Sequence, residues 1–441
     1  MSFPRYPAYK DSGVEWLGEV PGHWDVKRLR FVAELNPSKS EAAIIDRDTL
    51  VSFLPMDAIG EDGLLRLDIE KPIGELESGY TYFRNGDVTI AKITPCYENG
   101  KGALMKGLVN GMGFGTTELI VARPKPEEVT GAYLHYLFIS PDFRDIGESH
   151  MYGAGGQKRV PDAFVRDFAT AFPPLPEQTQ IATFLDRETA KIDALVAEQR
   201  RLMALLKEKR QAVISHAVTR GLNPRAPLKP SGIEWLGDVP EHWDVLKGAL
   251  IGTLFGSEQV PEDAVLDEGD LPFIKVGSLS RDSFEIESWD YFVDSSVAAN
   301  YRPRSGYIVF PKRGAAIFTN KVNIVDRPSL VDPNLMGWKI GERAVTAFIA
   351  YALKCRKLDE LADVSTVPQI NNKHIAPERF AVPPIEEQHQ IVAYLNAESA
   401  KFDTLTTEAQ RAIDLLQERR TALISAAVTG QIDVREAAYL L

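Results

Sequence analysis

A stretch of 15 residues occurs twice in this chain, and the two copies constrain its fold more than any other feature. SGVEWLGEVPGHWDV at 12–26 returns as SGIEWLGDVPEHWDV at 231–245, with 12 of the 15 positions identical. A second pair, PPLPEQTQIATFLDRETAKIDALV (173–196) and PPIEEQHQIVAYLNAESAKFDTLT (383–406), shares 12 of 24 positions. The offsets, 219 and 210 residues, are far longer than a solenoid repeat and indicate a duplicated domain.

The segments between the repeats, 27–172 and 246–382, resemble each other little. With 441 residues the chain is too long for one ordinary core. Short β-rich runs such as GDVTIAKI (86–93), TELIVARP (117–124) and GYIVFPK (306–312) predict strands between Gly, Pro and Asn turns. We therefore predict an α+β protein. Its first mixed α/β domain covers 1–172 and its second covers 223–382. A central long helix covers 173–222, and a C-terminal long helix with a tail covers 383–441.

The PPxxEQ blocks predict the starts of these helices, because proline suits the first turn and Glu177 suits the positive end of the helix dipole. No Pro or Gly interrupts 178–220 or 386–429. Apolar residues seven apart predict a coiled-coil seam between the two helices. The alternative is two amphipathic helices, each lying on its own domain. The predicted seam consists of Leu185, Ile192, Leu206 and Val213 with companions Leu195 and Leu202, and of Leu395, Phe402, Leu416 and Leu423 with companion Leu405.

Motifs of enzyme chemistry are absent from the sequence. It has no GxxxxGK[ST] phosphate loop, no HExxH and no Cys/His cluster at metal-binding spacing. Cys96 and Cys355 are the only cysteines, which suits a reducing cytosol. The N-terminus does not resemble a signal peptide, and no apolar run is long enough to span a membrane. We expect a cytoplasmic protein with no catalytic residues, no metal site and no membrane association.

Basic residues recur at matched positions on the loops of both variable segments. Lys92 and Lys101 follow the strand motif of the first segment, and Lys312 and Lys321 take the same positions 220 residues later, with Arg313 beside them. Ammonium and guanidinium groups next to Gly-rich backbone suit DNA phosphates, and an arginine can also read guanine. The alternative is that these are ordinary solvated residues.

A second polar cluster lies further along each segment. YGAGGQKRV (152–160) combines Gly153, Gly155 and Gly156 with three donors, and VPQINNKHI (367–375) has a similar character. Gln and Asn can pair with adenine, and Lys and Arg with guanine or phosphate. The alternative is a polar surface turn. The candidate DNA-binding residues of this cluster are Gln157, Lys158, Arg159, Gln369, Asn371, Asn372 and Lys373.

Tryptophans of the 15-residue repeat have two possible roles. Trp16, Trp24 and their copies Trp235 and Trp243 could stack on nucleotides. However, two halves that read different sequences would not need identical readers. We therefore expect these residues to form a shared scaffold.

From end to end, the chain resembles the DNA-specificity subunit of type I restriction-modification enzymes. The resemblance rests on the doubled SG[VI]EWLG[ED]VPxHW, on GDVTIAKITPCYENGKGAL with FGTTELIVARP, on GAGGQKRVP, and on the paired PPLPEQTQI and PPIEEQHQI. It implies two target-recognition domains, each reading one half of a bipartite, asymmetric site in double-stranded DNA. It also implies two antiparallel helices that separate these domains and dock two modification subunits.

In such enzymes S-adenosylmethionine is bound by the modification subunits, which methylate adenine, so the resemblance implies no cofactor in this chain. Separate restriction subunits that translocate and cut DNA are possible further partners. FPKRGAAIFTNK in the second half departs from the fuller KITPCxENGK pattern, which puts its residue-level roles in doubt.

The charge balance is unusual for a protein that binds DNA unaided. The net charge is −12; residues 27–170 hold 17 basic against 21 acidic residues, and 246–381 hold 16 against 18. We therefore expect the isolated chain to bind DNA weakly. Two other interpretations remain open: a non-enzymatic coiled-coil adaptor that binds only proteins, and a methyltransferase or nuclease that acts unaided.

Overall fold

The chain folds into two compact units that share two long helices. The computed structural model describes residues 3–154, 156–256, 259–363 and 367–436. The first unit is Met1–Gln199 with Arg411–Leu441, and the second is Arg200–Gln410. The central helix, Leu175–Arg220, and the C-terminal helix, Ile385–Val428, contribute residues to both. No helix in the described ranges has the length and apolar character needed to cross a membrane.

In its described residues the first unit has two four-stranded sheets and two two-stranded ribbons. The main sheet is antiparallel, in the order Ala33–Leu35, Leu119–Pro124, Val88–Ala91, Gly102–Leu104. The second sheet has the order Glu70–Pro72, Leu50–Leu54, Met112–Gly115, Thr81–Arg84, with its middle pair parallel. The ribbons pair Tyr9–Asp11 with Glu19–Pro21 and Asp25–Arg28 with Ala169–Phe172.

The described residues of the second unit repeat this plan. Its main sheet is antiparallel, in the order Gly252–Phe255, Leu335–Ile340, Tyr307–Pro311, Asn323–Val325. Its second sheet has the order Val265–Leu266, Phe292–Val293, Leu271–Ile274, Leu330–Val331, with the last pair parallel. The ribbons pair Leu228–Pro230 with Asp238–Pro240 and Asp244–Lys247 with Arg379–Val382.

Short helices connect these strands. Those of the first unit are Leu29–Val32, Ser40–Ala43, Ile73–Leu76, Gly131–Ile139, Pro141–Ser149 and Asp162–Asp167, with 3₁₀ turns at Met56–Ala58 and Val109–Gly111. Those of the second unit are Gly248–Ile251, Ser295–Ala298, Thr346–Arg356 and Asn372–Ile375, with 3₁₀ turns at Glu262–Ala264, Val276–Ser278, Ala315–Thr319 and Asp359–Leu361. The predicted α+β class, with mixed α/β domains and two long helices, is confirmed.

Within the first unit the two long helices run antiparallel. Leu185, near the start of the central helix, shares a hydrophobic core with Ile424, near the end of the C-terminal helix. Further along the central helix, Asp193 accepts a hydrogen bond from Arg420 at 3.1 Å. Residue numbers therefore rise along one helix as they fall along the other, which is the antiparallel arrangement implied by the resemblance.

The second unit pairs its own parts of the helices in the same way. Arg210 of the central helix donates to Asp403 of the C-terminal helix at 2.5 Å. Ala217, near the end of the central helix, lies in one core with Leu395, near the start of the C-terminal helix. Both contacts join a late position of one helix to an earlier position of the other.

The seam positions themselves are partly different from those predicted. The described structure buries Leu185, Ile192, Leu206, Leu395 and Phe402 and half-buries Val213, Leu416 and Leu423. In contrast, Leu195, Leu202 and Leu405 are 46%, 43% and 45% exposed. Apolar contacts along a helix pair alternate between spacings of three and four residues. The buried companion of Ile192 is Val196, four residues later and 7% exposed, rather than Leu195, three residues later.

The 15-residue repeat meets the PPxxEQ helix start in both units. In the first, Glu177 accepts from Trp24 Nε1 at 3.1 Å and from Tyr6 Oη at 2.7 Å, and it contacts His23 Nε2 at 2.7 Å. We call this the first junction. Trp24 is fully buried, so its predicted scaffold role is confirmed and nucleotide stacking by this residue is wrong.

The second junction has the same chemistry. Glu387 accepts from Trp243 Nε1 at 3.2 Å and contacts His242 Nε2 at 2.8 Å, and Trp243 is also fully buried. A carboxylate in the first turn suits the positive end of the helix dipole as well as these donors. One side chain therefore joins each copy of the repeat to the start of a long helix.

The glutamine beside each of these glutamates holds another helix. Gln178 Oε1 accepts from Thr130 N at 2.8 Å, at the start of helix Gly131–Ile139. Gln388 Oε1 accepts from Val345 N at 2.6 Å, at the start of helix Thr346–Arg356. These backbone N–H groups would otherwise be unpaired at a helix start. The EQ pair thus orients both the repeat and a short helix of the same unit against the long helix.

Candidate nucleic-acid interface

Two lysines follow equivalent strands of the two main sheets. Lys92 comes directly after Val88–Ala91, and its N–H donates to Glu118 O at 2.8 Å. Lys312 comes directly after Tyr307–Pro311, and its N–H donates to Asn334 O at 2.8 Å. The spacing seen in the sequence therefore corresponds to one backbone position in two copies of a sheet.

A hairpin pairs with the chain beside each lysine. Lys92 O accepts from Val160 N at 2.8 Å, and Lys312 O accepts from Ile370 N at 2.9 Å. The residues just before these donors form equivalent β-bridges: Arg159 bridges Ile93 and Tyr152, and Gln369 bridges Arg313 and Asp363. We call residues 152–159 the first hairpin and 363–369 the second hairpin. Gly155 and residues 364–366 lie outside the described residues.

We call the lysine after the strand, its two backbone contacts and the bridging hairpin residue the backbone frame of each unit. In the first unit, a carboxylate binds the arginine of this frame. Arg159 Nε donates to Glu118 Oε2 at 2.9 Å, and one Arg159 Nη donates to Glu118 Oε1 at 2.8 Å. The hydrogen bond from Arg159 lowers the pKa of Glu118, and the charge of Lys92 acts in the same direction. The pair is only partly covered, with side chains 39% and 24% exposed. Two cations and one carboxylate thus meet at the surface here.

In the second unit, amides occupy the same two positions. Gln369 takes the place of Arg159, and Asn334 that of Glu118. Asn334 is exposed; its N–H and its Nδ2 donate to Asp332 Oδ1 at 2.7 and 2.8 Å. The corresponding contact in the first unit is from Glu118 N to Thr116 Oγ1, at 3.3 Å. The backbone frame is shared, and the side chains on it differ in hydrogen-bonding character.

The other basic candidates of the first unit lie close to this frame. Lys101 is half-buried, and its Nζ donates to Met56 O at 3.1 Å, so one of its three donors is used inside the unit. Gln157 and Lys158 are exposed on the first hairpin. Lys158 O accepts from Thr94 N at 3.0 Å, which attaches the hairpin to the segment after Lys92.

In the second unit Arg313 is exposed beside Gln369, while Lys312 and Lys321 are half-buried. Burial lowers the pKa of Lys312, and the adjacent Arg313 lowers it further. Lys321 precedes the strand Asn323–Val325, as Lys101 precedes Gly102–Leu104.

Asn371, Asn372 and Lys373 lie beyond the position that matches Arg159, at the start of helix Asn372–Ile375. Asn371 N donates to His374 Nδ1 at 3.0 Å. Lys373 Nζ lies 2.7 Å from Asp363 Oδ2, and this contact lowers the pKa of Asp363. Only Gln369 of this sequence cluster therefore has a counterpart on the first hairpin.

The structure brings Lys92, Lys158 and Arg159 together in the first unit, and Lys312, Arg313 and Gln369 together in the second. Sequence reasoning missed Glu118, which binds Arg159, and Asn334, which occupies the equivalent backbone position in the second unit. The sequence did hold a signal for Glu118, because this polar residue stands at the start of the β-rich run TELIVARP. The strand formed by this run pairs with the strand that Lys92 follows. Among the described residues, no group of three or more His, Cys, Asp or Glu side chains could hold a metal ion.

Comparisons with known proteins show similarity over parts of the chain to one kind of protein. Residues 240–414 match the family described as type I restriction modification DNA specificity domain. The specificity subunit of the type I restriction enzyme EcoAI, from Escherichia coli, is 42% identical over 198 residues, covering 43% of this chain and 33% of that protein. The EcoEI specificity subunit, also from Escherichia coli, is 40% identical over 201 residues, covering 45% and 33%. The matched part thus spans a third of the length of these relatives.

Solved structures share the fold along most of the chain. A chain from a type I R-M system has a TM-score of 0.71 at 20% identity, covering 93% of this chain and 98% of that one. The HsdS subunit from Thermoanaerobacter tengcongensis has a TM-score of 0.55 at 18% identity, covering 94% and 98%. Over part of its length this chain is therefore similar in sequence to the DNA-specificity subunits of type I restriction-modification enzymes, and along most of its length it shares the fold of the HsdS subunit.

Proposed function

We propose that this chain is the non-catalytic, DNA-reading subunit of a type I restriction-modification complex. Each recognition domain reads one half of a bipartite, asymmetric site in double-stranded DNA. The long helices set the spacing and dock two adenine-methyltransferase subunits, which bind S-adenosylmethionine. Restriction subunits join the complex where the system includes them. The observation that carries this proposal is the backbone frame shared by the two main sheets, which bears unlike side chains.

The shared and unlike parts of this frame fit the two tasks of a DNA reader. Phosphate contacts carry no sequence information, so a lysine at the same place in both halves, Lys92 and Lys312, suits them. Base edges differ between sequences, so the side chains that read them must differ between halves. Arg159 with Glu118 and Gln369 with Asn334 meet this condition.

The helices support the spacing and docking roles. They contain 46 and 44 residues, which corresponds to about 65–70 Å at 1.5 Å per residue. Several of their leucines face solvent rather than the partner helix. Apolar side chains that face solvent on these helices are available to be covered by another protein. These leucines are Leu195, Leu202, Leu205, Leu405 and Leu415, between 43% and 56% exposed.

Methylation mapping tests this function directly. We expect cells that express this chain with its modification subunit to carry a gapped methylation motif, with one methyladenine in each half. An ungapped or palindromic motif would contradict the two-reader proposal. Without any methylation the protein-only adaptor is favoured, and methyl transfer by the purified chain alone would favour the unaided enzyme.

A gel-shift titration tests how much of the DNA affinity belongs to this chain. Phosphate contacts dominate DNA affinity, and the net charge is −12. We therefore expect the isolated chain to bind its site with Kd on the order of 10⁻⁶ M or weaker at physiological salt. Adding the modification subunits should bring Kd to ~10⁻⁸ M or below. Tight, site-specific binding by the chain alone would show that the partners contribute little electrostatic attraction.

A further inference from the structure

We propose that Arg159 reads a guanine in the first half-site and that Gln369 reads an adenine in the second. Glu118 acts as the positioning residue for Arg159. The inference rests on the proposed function and adds to it the identity of the two reading side chains and the base that each one selects.

Arg159 keeps hydrogen-bond donors after it has bound Glu118. A guanidinium has five N–H donors in one plane. Glu118 accepts from Nε at 2.9 Å and from one Nη at 2.8 Å, so it occupies the edge of the guanidinium formed by these two nitrogens. The edge formed by the two Nη atoms keeps an N–H donor on each of them, and the Arg159 side chain is 39% exposed. Two parallel donors match the O6 and N7 acceptors of guanine in the major groove.

The matching position in the second unit has a different chemistry. Gln369 makes the same two β-bridges as Arg159, and Asn334 replaces Glu118 at the backbone contact with the lysine. An amide offers one acceptor and one donor group, which fits the N6–H₂ donor and N7 acceptor of adenine. The Gln369 side chain makes no hydrogen bond to any residue that the structure describes, so its amide is available.

The two units differ at both positions at once, with Glu118 and Arg159 in the first and Asn334 and Gln369 in the second. In the first unit a carboxylate binds the arginine, and in the second unit an amide residue, Asn334, occupies the backbone position that Glu118 has in the first. Glu118 beside glutamine would lose its charged partner, and Asn334 beside arginine would give that arginine no carboxylate to orient it. The charged pair and the amide pair are thus alternative readers on one frame.

The remaining residues of the frame fit other roles. Lys92 and Lys312 are the same in both units, which suits phosphate contact. Glu177 and Glu387 are also the same, and they bind the buried tryptophans of the repeats. Since only unlike side chains can distinguish two half-sites, the reading task falls to the positions that differ.

The test exchanges the side chains at these two positions between the first and the second unit. The double variant E118N/R159Q, the reciprocal N334E/Q369R and the wild-type chain are each co-expressed with the modification subunit. Genomic methylation is then read from each strain. We expect E118N/R159Q to change the preferred base at one position of the first half-site from guanine to adenine. The second half-site should be unchanged, and the reciprocal variant should do the opposite.

Single variants separate base reading from charge and from folding. R159K keeps the positive charge but loses the fork, so the preference for guanine should fall by about 5- to 150-fold. E118Q should reduce that preference less, because Arg159 remains but is less firmly oriented. K92A and K312A should lower methylation at all sites alike without changing any base preference. A thermal unfolding scan of each variant accompanies the mapping.

Each outcome bears on a defined claim. If the wild type gives a gapped motif and R159K or E118N/R159Q leaves both half-sites unchanged, the reading inference is overturned and the proposed function stands. An altered preference in the wrong half-site also overturns it. If the wild type itself gives no gapped motif, the proposed function fails and the inference fails with it.

Discussion

Replacing Glu177 by alanine is expected to destabilise the first unit by about 3–5 kcal/mol, because it leaves buried donors without their acceptor. The carboxylate contacts Tyr6, His23 and Trp24, and its side chain is only 7% exposed. Burial and the hydrogen bond to Glu177 both raise the pKa of Tyr6, so its phenol remains a donor over the ordinary pH range. Tyr6 and Trp24 are buried, at 4% and 0% exposed, so their donors cannot reach water without opening the unit, whereas His23 is partly solvated.

Glu387→Ala is the matched control, because it removes the same residue from the second junction. Among the described residues, the Glu387 carboxylate makes polar contacts only with His242 and Trp243, and its side chain is 25% exposed. Its loss should cost about 1–2 kcal/mol. Hydrogen exchange in urea, followed separately in peptides from 9–28 and from 228–247, measures each unit by itself, since two units need not unfold in one transition. Equal losses in the two variants would contradict the unequal burial of the two carboxylates.

Gly430→Ala is the second large effect that we expect, at about 2–4 kcal/mol. Gly430 has φ +75°, where a side chain is strained, and it lies just after the C-terminal helix. An added Cβ would be 2.4 Å from Pro21 Cδ and 3.2 Å from Trp24 Cη2, both in the repeat. The variant therefore combines backbone strain with a clash at the first junction.

Two other glycines grade this effect. Gly18 has φ +63° but open space around an added Cβ, so Gly18→Ala should cost about 1–2 kcal/mol from backbone strain alone. Gly221, φ +73°, would place a Cβ 3.1 Å from Trp243 and 3.2 Å from Glu387, and its alanine variant should fall between the others. The free energy of unfolding of each unit is again measured by hydrogen exchange. If Gly18→Ala and Gly430→Ala cost the same, the predicted clash with Pro21 is wrong.

The outline of the fold could be predicted because it depends on local signals and on the duplication. The prolines of PPLPEQ and the long stretch free of Pro and Gly predicted a helix within two residues of the observed Leu175–Arg220. The β-rich runs predicted the strands Val88–Ala91, Leu119–Pro124 and Tyr307–Pro311. The order of strands in each sheet could not be predicted, since it depends on contacts between distant segments.

Failures in the detailed prediction have specific physical causes. Leu195 and Leu202 have the heptad spacing, but a seven-residue spacing alone does not distinguish the seam from the neighbouring face of the helix. Glu177 was assigned only to the helix dipole, because its three partners lie more than 150 residues away. Glu118 was missed because its role depends on Arg159, which approaches it only through the first hairpin.

At the candidate interface, sequence reasoning found most of the cations but not their pairing. The constant offset of 220 residues from Lys92 to Lys312 and from Lys101 to Lys321 was visible in the sequence. Lys92 and Lys312 indeed occupy equivalent backbone positions in the two units. In contrast, VPQINNKHI contained several amides, and only geometry distinguishes Gln369 from Asn371. Hydrogen-bonding residues are common on loops, so their composition cannot identify which one faces an equivalent partner.

The two junctions have a consequence for how such genes diversify. The conserved pair of each junction, Trp24 with Glu177 and Trp243 with Glu387, lies in the repeated stretches rather than in the variable ones. Crossovers within 12–26 and 173–196 would therefore transfer the whole segment between them together with these anchoring side chains. Under the proposed function, such an exchange would replace one half of the site specificity in one recombination event, without the gradual re-optimisation that point mutations in a packed core require.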